Sequence, residues 1–203
     1  MSLFEGFRKI SSSGSNRAEL GHKRILGKTT DFITGREITD TDDERYRQKL
    51  ARFLVEEKGY AKEDIEVKHR IEMTVEDKKI LSMVDFVVTI DGTAFMAIRY
   101  GPGSIVTRER PALAAARILT QYMVPCTVVT NGEDAEILDT RTGEVVGTGI
   151  DYIPDKTTAR QQLSQIKLQH LSPERSDTEK RILSAYDWLE HSLECDDDWC
   201  AAE

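Results

Sequence analysis

The sequence predicts one α/β domain: a mixed sheet flanked by helices, followed by a C-terminal helical extension. Three observations point there. The segment "DIEVKHRIEM" alternates apolar and charged residues in the manner of a half-buried strand, whereas "ILSMVDFVVTI" is continuously apolar and β-branched, as a central strand would be. The elements run helix, three strands, helix, strand, hairpin, helices, which suits a mixed sandwich better than a doubly wound repeat. At 203 residues the chain is long enough to bury one sizeable core.

Residues 1–40 are polar, include "SSSGS" at 11–15 and show little periodicity, so they read as an arm that is flexible or wraps a neighbour. The domain proper is expected over 41–155. Its first helix starts where Thr41 or Asp42 can cap the free N–H groups, carries Tyr46, Leu50, Phe53 and Leu54 on one face, and stops near Gly59. Ile65, Val67, Ile71 and Met73 set the next strand, "ILSMVDFVVTI" follows, and "DGT" turns the chain into "AFMAIRY". "ALAAARILTQYM" reads as a helix of strong formers with Pro111 in its first turn. After Pro125, "CTVVT" is a buried strand, and "AEILDT" and "VVGTG" form a hairpin turning at Thr142-Gly143. Helices are expected over 156–170 and 177–193, the latter capped by Asp177, within a C-terminal segment 156–203. The expected core is Leu50, Phe53, Leu54, Ile65, Val67, Val84, Phe86, Val88, Met96, Ile98, Leu113, Ile118, Val128 and Val129.

With 28 Lys and Arg against 36 Asp and Glu, the formal net charge is -8, which excludes a uniformly basic nucleic-acid binder but not a local basic groove on an acidic body. Residues 1–30 carry six basic and two acidic side chains, and residues 190–203 carry six acidic ones, as solvated tails do. No apolar run is long enough for a membrane span and the N-terminus lacks the apolar stretch of a signal peptide, so a cytoplasmic protein is expected. Cys126 reads as a core thiol. His191, Cys195 and Cys200 are one ligand short of a structural zinc site, so an acidic helix end with two free thiols is the stronger reading. Ile182, Tyr186, Trp188 and Leu189 make a helical stripe expected to face the core.

Two features carry chemistry. The stretch "IRYGPGSIVTRERPALAAAR" combines Gly101 and Gly103, which free the backbone to point N–H groups outward, with Ser104, a capping Thr107, and Arg99, Arg108, Arg110 and Arg117. It is either a phosphate-binding loop or a tight crossover whose arginines pair with the protein's own carboxylates. It has no nucleotide-binding glycine spacing. The second feature is Asp85, a lone carboxylate inside an apolar strand. Such a group needs an arginine, a backbone N–H or a metal, and the residues leave these open.

The helix "DDERYRQKLARFLVEEKGY", the strands of "VDFVVTIDGTAFMAIRYG", the helix after them and "VPCTVVTNGEDAEILDTRTGEVVG" together resemble the N-terminal domain of the restriction subunit of type I restriction enzymes, over about residues 40–150. That domain belongs to the PD-(D/E)xK nuclease superfamily, and the resemblance implies a restriction-endonuclease-like fold. It further implies a first-helix Glu, a strand Asp, a Glu-x-Lys on the next strand, and a Gln and Tyr on the following helix. The carboxylates would hold Mg²⁺ and the Lys would orient or deprotonate water.

Carried over residue by residue, Glu44 takes the helix position and Asp85 the strand position. The Glu-x-Lys falls on Ala97-Ile98-Arg99 or on Ile98-Arg99-Tyr100, and neither supplies a carboxylate. Arg99, in the place of the Lys in the first register, is a poor base. The Gln and Tyr positions land on Ala114 and Ile118, with Gln121-Tyr122 wrongly spaced. The expected site is therefore degenerate: Asp85, Glu44 and Arg99, with Asp85 a weak metal ligand and Mg²⁺ the cofactor only if the site is active. The leading expectation is a nuclease-fold domain impaired in cleavage that binds DNA phosphate through Gly101, Gly103, Ser104, Thr107, Arg108 and Arg110. Alternatives are an active Mg²⁺-dependent endonuclease with a carboxylate migrated from Glu72, Glu76 or Asp91, and an interaction domain that touches no nucleic acid. Separate subunits of a restriction-type assembly are the expected partners, and any translocase would be another chain.

Overall fold

A computed structural model describes residues 24–193, with side chains through Asp187. Cys195, Cys200, the first 23 residues and the acidic end lie outside the described residues, as do the side chains of His191, Trp188 and Leu189.

The described residues begin with a hairpin, β1 (Ile25–Thr30) and β2 (Glu37–Thr41), inside the segment expected to be an arm. Asp31 organises its turn, taking the N–H groups of Ile33 and Thr34 and the Thr34 hydroxyl on one carboxylate oxygen. Helix α1 (Asp42–Glu56) follows, and the Thr41 hydroxyl caps it by accepting the Glu44 N–H at 3.1 Å.

The main sheet has six strands in chain order: β3 (Ile65–Val75), β4 (Lys78–Ile90), β5 (Thr93–Tyr100), β6 (Cys126–Thr130), β7 (Ala135–Asp139) and β8 (Val145–Thr148). Every neighbouring pair is antiparallel except β5 and β6, which run parallel because helix α2 (Val106–Ile118) carries the chain across between them. Helices α3 (Lys156–Gln165) and α4 (Pro173–Leu193) complete the described residues. This is the mixed sheet flanked by helices that the sequence predicted.

α1 and α3 cover one face. Leu50, Ala51, Leu54 and Ala159 meet Ile65, Phe86, Val88, Met96, Ile98 and Val128 there. On the other face the small residues Ala114, Ala115 and Ala116 of α2 let it approach Val87, Ala94 and Ala97, with Leu183 of α4 in the same cluster. Of the expected core, Phe53, Val67 and Ile118 are only partly buried and pack against its edges. Ile65 and Val67 lie in the cluster with α1, whereas Ile71 and Met73, at the same parity on β3, lie in the cluster with α2 and α4. The two-residue alternation is therefore interrupted between them, where Lys68 has a φ of 54°.

Four local expectations are corrected. α2 begins five residues before Pro111, which lies inside the helix, and it ends at Ile118 rather than Met123. Thr107 does not cap it: its hydroxyl donates to the Ser104 carbonyl from within the first turn. α3 stops at Gln165, beyond which Gln169 accepts the Met123 N–H in an extended segment. α4 starts at Pro173, so Asp177 is an internal residue paired with Lys180. Among the described residues no helix is long and apolar enough to cross a membrane.

Candidate active-site fork

The β4–β5 ladder begins at Phe86 opposite Ile98, and beyond that pair the strands diverge. Tyr100 has turned toward β6, pairing with Thr130, and Gly101 donates its N–H to the Thr130 carbonyl at 3.0 Å. Asp85 sits in the fork. One of its oxygens accepts the Tyr100 N–H at 2.7 Å, a donor the divergence would otherwise strand, and the other accepts Arg47 Nε at 2.6 Å. Asp85 and Glu44 are each 4 % exposed.

α1 supplies the rest of the site from successive turns. Glu44 Oε2 lies 3.1 Å from Lys68 Nζ and 3.7 Å from Arg47 Nη1, while Gln48 Nε2 donates to Glu44 Oε1 at 2.9 Å and to Asp31 Oδ2 at 2.8 Å. Tyr100 donates its hydroxyl to Asp43 at 3.0 Å, lies beneath the Arg47 guanidinium at 5.2 Å, and stacks on Tyr46 at 6.0 Å. Tyr46 in turn fills the space where Gly132 would carry a Cβ, so the β6–β7 turn closes over α1 only because that residue is glycine. Burial alone would lower the Arg47 pKa, but Asp85, Glu44 and Asp43 outweigh it and raise it.

The structure thus joins Glu44 to Asp85 and separates Arg99 from them. Arg99 lies on the other face of β5 and pairs with Asp187 of α4 at 3.0 Å. Ala97 faces the same way, into the cluster with the α2 alanines, and Ile98 is in the core under α1, so neither register brings a carboxylate to the fork. Glu72 is exposed on β3 opposite Leu81, Glu76 lies in the β3–β4 turn, and Asp91 pairs with Arg160 beyond the end of β4. None joins Asp85. Ala114 is wholly buried and Tyr122, past the end of α2, donates to the Ala94 carbonyl.

Of the basic loop, Arg110 leaves for α4, lying 2.7 Å from Glu179, and Arg117 reaches the same carboxylate at 3.0 Å. Gly101, Gly103, Ser104, Thr107 and Arg108 stay together at the crossover. Gly103 adopts a φ of 87°, Ser104 and Thr107 are exposed, and the Arg108 guanidinium folds over Gly101 where a side chain would collide with it. Asn131 of the neighbouring turn approaches the Gly103 carbonyl at 3.4 Å.

A divalent metal does not fit the fork. Mg²⁺ asks for an octahedron of oxygens, yet both oxygens of Asp85 and both of Glu44 already accept N–H groups or face cations. Among the described residues no group of three or more His, Cys, Asp or Glu is arranged to hold a metal. Two clefts of about 280 and 390 Å³ lie elsewhere, sharing Pro125, Asp139 and Ile166. The second touches Cys126, whose thiol burial pushes up to about 12, leaving it inert at neutral pH.

Sequence reasoning missed Arg47, Lys68, Gln48 and Asp31. Arg47 alone had a readable signal: it stands three residues before Leu50 and seven before Leu54, on the face of α1 that turns to the core.

A family model described as type I restriction enzyme R protein N terminus matches residues 42–154. No curated protein and no solved structure matches the chain.

Proposed function

Because the chain belongs to the family of type I restriction enzyme R protein N-termini, we propose that it is a nuclease-fold domain that does not cut phosphodiesters and that holds DNA backbone at the loop between β5 and α2. The observation that carries the reading is the fork: Asp85 and Glu44 are occupied by Arg47, Lys68, Gln48 and the Tyr100 N–H, and among the described residues no third carboxylate joins them and the one lysine there, Lys68, is paired with Glu44. Cleavage needs a cation free to polarise the phosphate and a group to activate water, and a guanidinium committed to Asp85 does neither.

DNA contact is supported by what remains at the crossover. Ser104 and Thr107 offer hydroxyls, Gly103 exposes backbone, and Arg108 adds a guanidinium suited to phosphate. The domain would act within a restriction-type assembly. Two measurements test this. Plasmid DNA incubated with the protein and Mg²⁺ or Mn²⁺ should remain supercoiled, and nicking that Asp85→Asn abolishes would overturn the non-cleaving reading. Affinity for a short duplex should fall with salt and fall further in Arg108→Ala/Thr107→Ala, with a shallower salt slope. Undetectable binding at low salt would leave a protein-interaction role.

A further inference from the structure

The fork is built from groups of the kind that hold a metal, yet it is closed by a side chain. Asp43, Glu44 and Asp85 all act on Arg47 and raise its pKa. Asp85 contacts it through Nε at 2.6 Å, Glu44 lies 3.7 Å from Nη1, and Asp43 is linked through the Tyr100 hydroxyl, whose ring lies beneath the guanidinium. Two of these carboxylates are 4 % exposed, and a buried carboxylate is costly unless a cation or hydrogen-bond donors engage it. Lys68 reaches Glu44 but supplies a single charge from the rim, where its side chain is 45 % exposed.

We infer that Arg47 is a built-in counter-cation that stands in for the divalent ion of the family's nuclease centre, so that the fork is complete without metal. The inference deepens the non-cleaving reading and rests on it for the identity of the centre. Its physical consequence is exclusion: a divalent ion entering the native fork meets a fixed positive charge and carboxylate oxygens already engaged. Without the Arg47 charge, the two buried carboxylates of Asp85 and Glu44 border the vacated space with only Lys68 to offset them. Their oxygens are of the kind a hard cation such as Mn²⁺ takes, with water completing its shell.

The test uses the full chain and Mn²⁺ as probe, read by electron paramagnetic resonance and by thermal unfolding in Mn²⁺ or in EDTA. The wild type should show no Mn²⁺-dependent shift that Asp85→Asn removes. Arg47→Met should unfold at lower temperature in EDTA and recover in Mn²⁺, binding the ion about tenfold more tightly than wild type or better. Arg47→Gln, which keeps an N–H donor for Asp85 but not the charge, should respond in the same direction. Adding Asp85→Asn to either variant should abolish the response. A variant that folds only when Mn²⁺ is present supports the inference. It is overturned if neither variant responds to Mn²⁺, whether folded or not, or if wild type binds Mn²⁺ through Asp85. The two readings fail separately: nicking by wild type counts against the non-cleaving proposal, whereas silence of the Arg47 variants toward Mn²⁺ counts against this one.

Discussion

Replacing Asp85 distinguishes a carboxylate that holds the fold together from one kept for chemistry, because the two roles give stability changes of opposite sign. In the fork Asp85 is 4 % exposed and accepts two hydrogen bonds, one from Arg47 and one from the Tyr100 backbone. Asp85→Ala leaves a mostly buried guanidinium without its nearest partner, an effect of about 3–5 kcal/mol when one member of a buried pair is removed. The stranded Tyr100 N–H contributes a further cost of about 1–3 kcal/mol. These do not add in full, since Arg47 can turn toward Glu44, now 3.7 Å away, and water can enter the space left behind. A net loss of about 3 kcal/mol is expected, or about 6–12 °C in Tm for a domain of this size.

Asp85→Asn keeps the shape and one acceptor but sets an N–H₂ group against one of two donors, so it should cost somewhat less with the same sign. Thermal and urea unfolding of wild type, Asp85→Ala and Asp85→Asn in EDTA measure this directly. A double-mutant cycle with Arg47→Met should return a coupling of about 1–3 kcal/mol. Carboxylates clustered for metal catalysis repel one another in the apo protein, and neutralising one of them then stabilises the fold. An Asp85→Asn variant that is unchanged or more stable in EDTA would therefore refute the account of the fork given above.

Further outcomes follow from the opposite face. Glu179 is fully buried on α4 and ion-paired with Arg110, Arg117 and Arg175, so Glu179→Gln should lose about 3 kcal/mol in urea unfolding, whereas Arg175→Ala, at a side chain 56 % exposed, should lose under about 1 kcal/mol. Burial pushes the Glu179 carboxyl up, but Arg110 and Arg117 outweigh it and hold it below its ordinary value of 4.5. Its contribution is therefore present above that pH and lost as pH falls through the lower folded value, and the acid limb of the stability profile should flatten in Glu179→Gln. Ala97→Glu returns a carboxylate to the strand at a site 2 % exposed among α2 alanines, so it should cost several kcal/mol by circular dichroism melts and restore no plasmid nicking in Mn²⁺.

The elements with a strong period were legible in the sequence: α1, β3 to β6 and the β7–β8 hairpin stand where the apolar pattern put them. What depends on partners distant in sequence was not. The arginines around Gly101 read slightly better as a phosphate cradle than as internal pairs, and the partners of two of them lie far off in α4, where Arg99 meets Asp187 and Arg110 meets Glu179. Among the described side chains of α4, Glu179, Leu183 and Asp187 turn inward while Tyr186 is 39 % exposed, the two carboxylates being matched to arginines of α2 and β5. The opening hairpin was hidden for a related reason. Asp31 satisfies its turn with a carboxylate and ties it to α1 through Gln48, and only Phe32 and Ile33 of the turn pack against the core, an adjacent pair that makes no apolar period.

On the non-cleaving reading, Asp85 shows why a motif residue can be present without the chemistry it accompanies. Its position follows from the sheet: where β4 and β5 part, a backbone N–H loses its ladder partner, and a carboxylate one residue before the Phe86–Ile98 pair reaches it. That requirement exists whether or not a metal is ever bound. Position 97 has no comparable duty, and alanine there serves the close approach of α2. Asp85 in the sequence is accordingly evidence for the fork, while the evidence about cleavage sits in the residues around it. Arg47, entering from the core face of α1, supplies to the fork the positive charge that its carboxylates need and that a hydrolytic centre would have left for a metal.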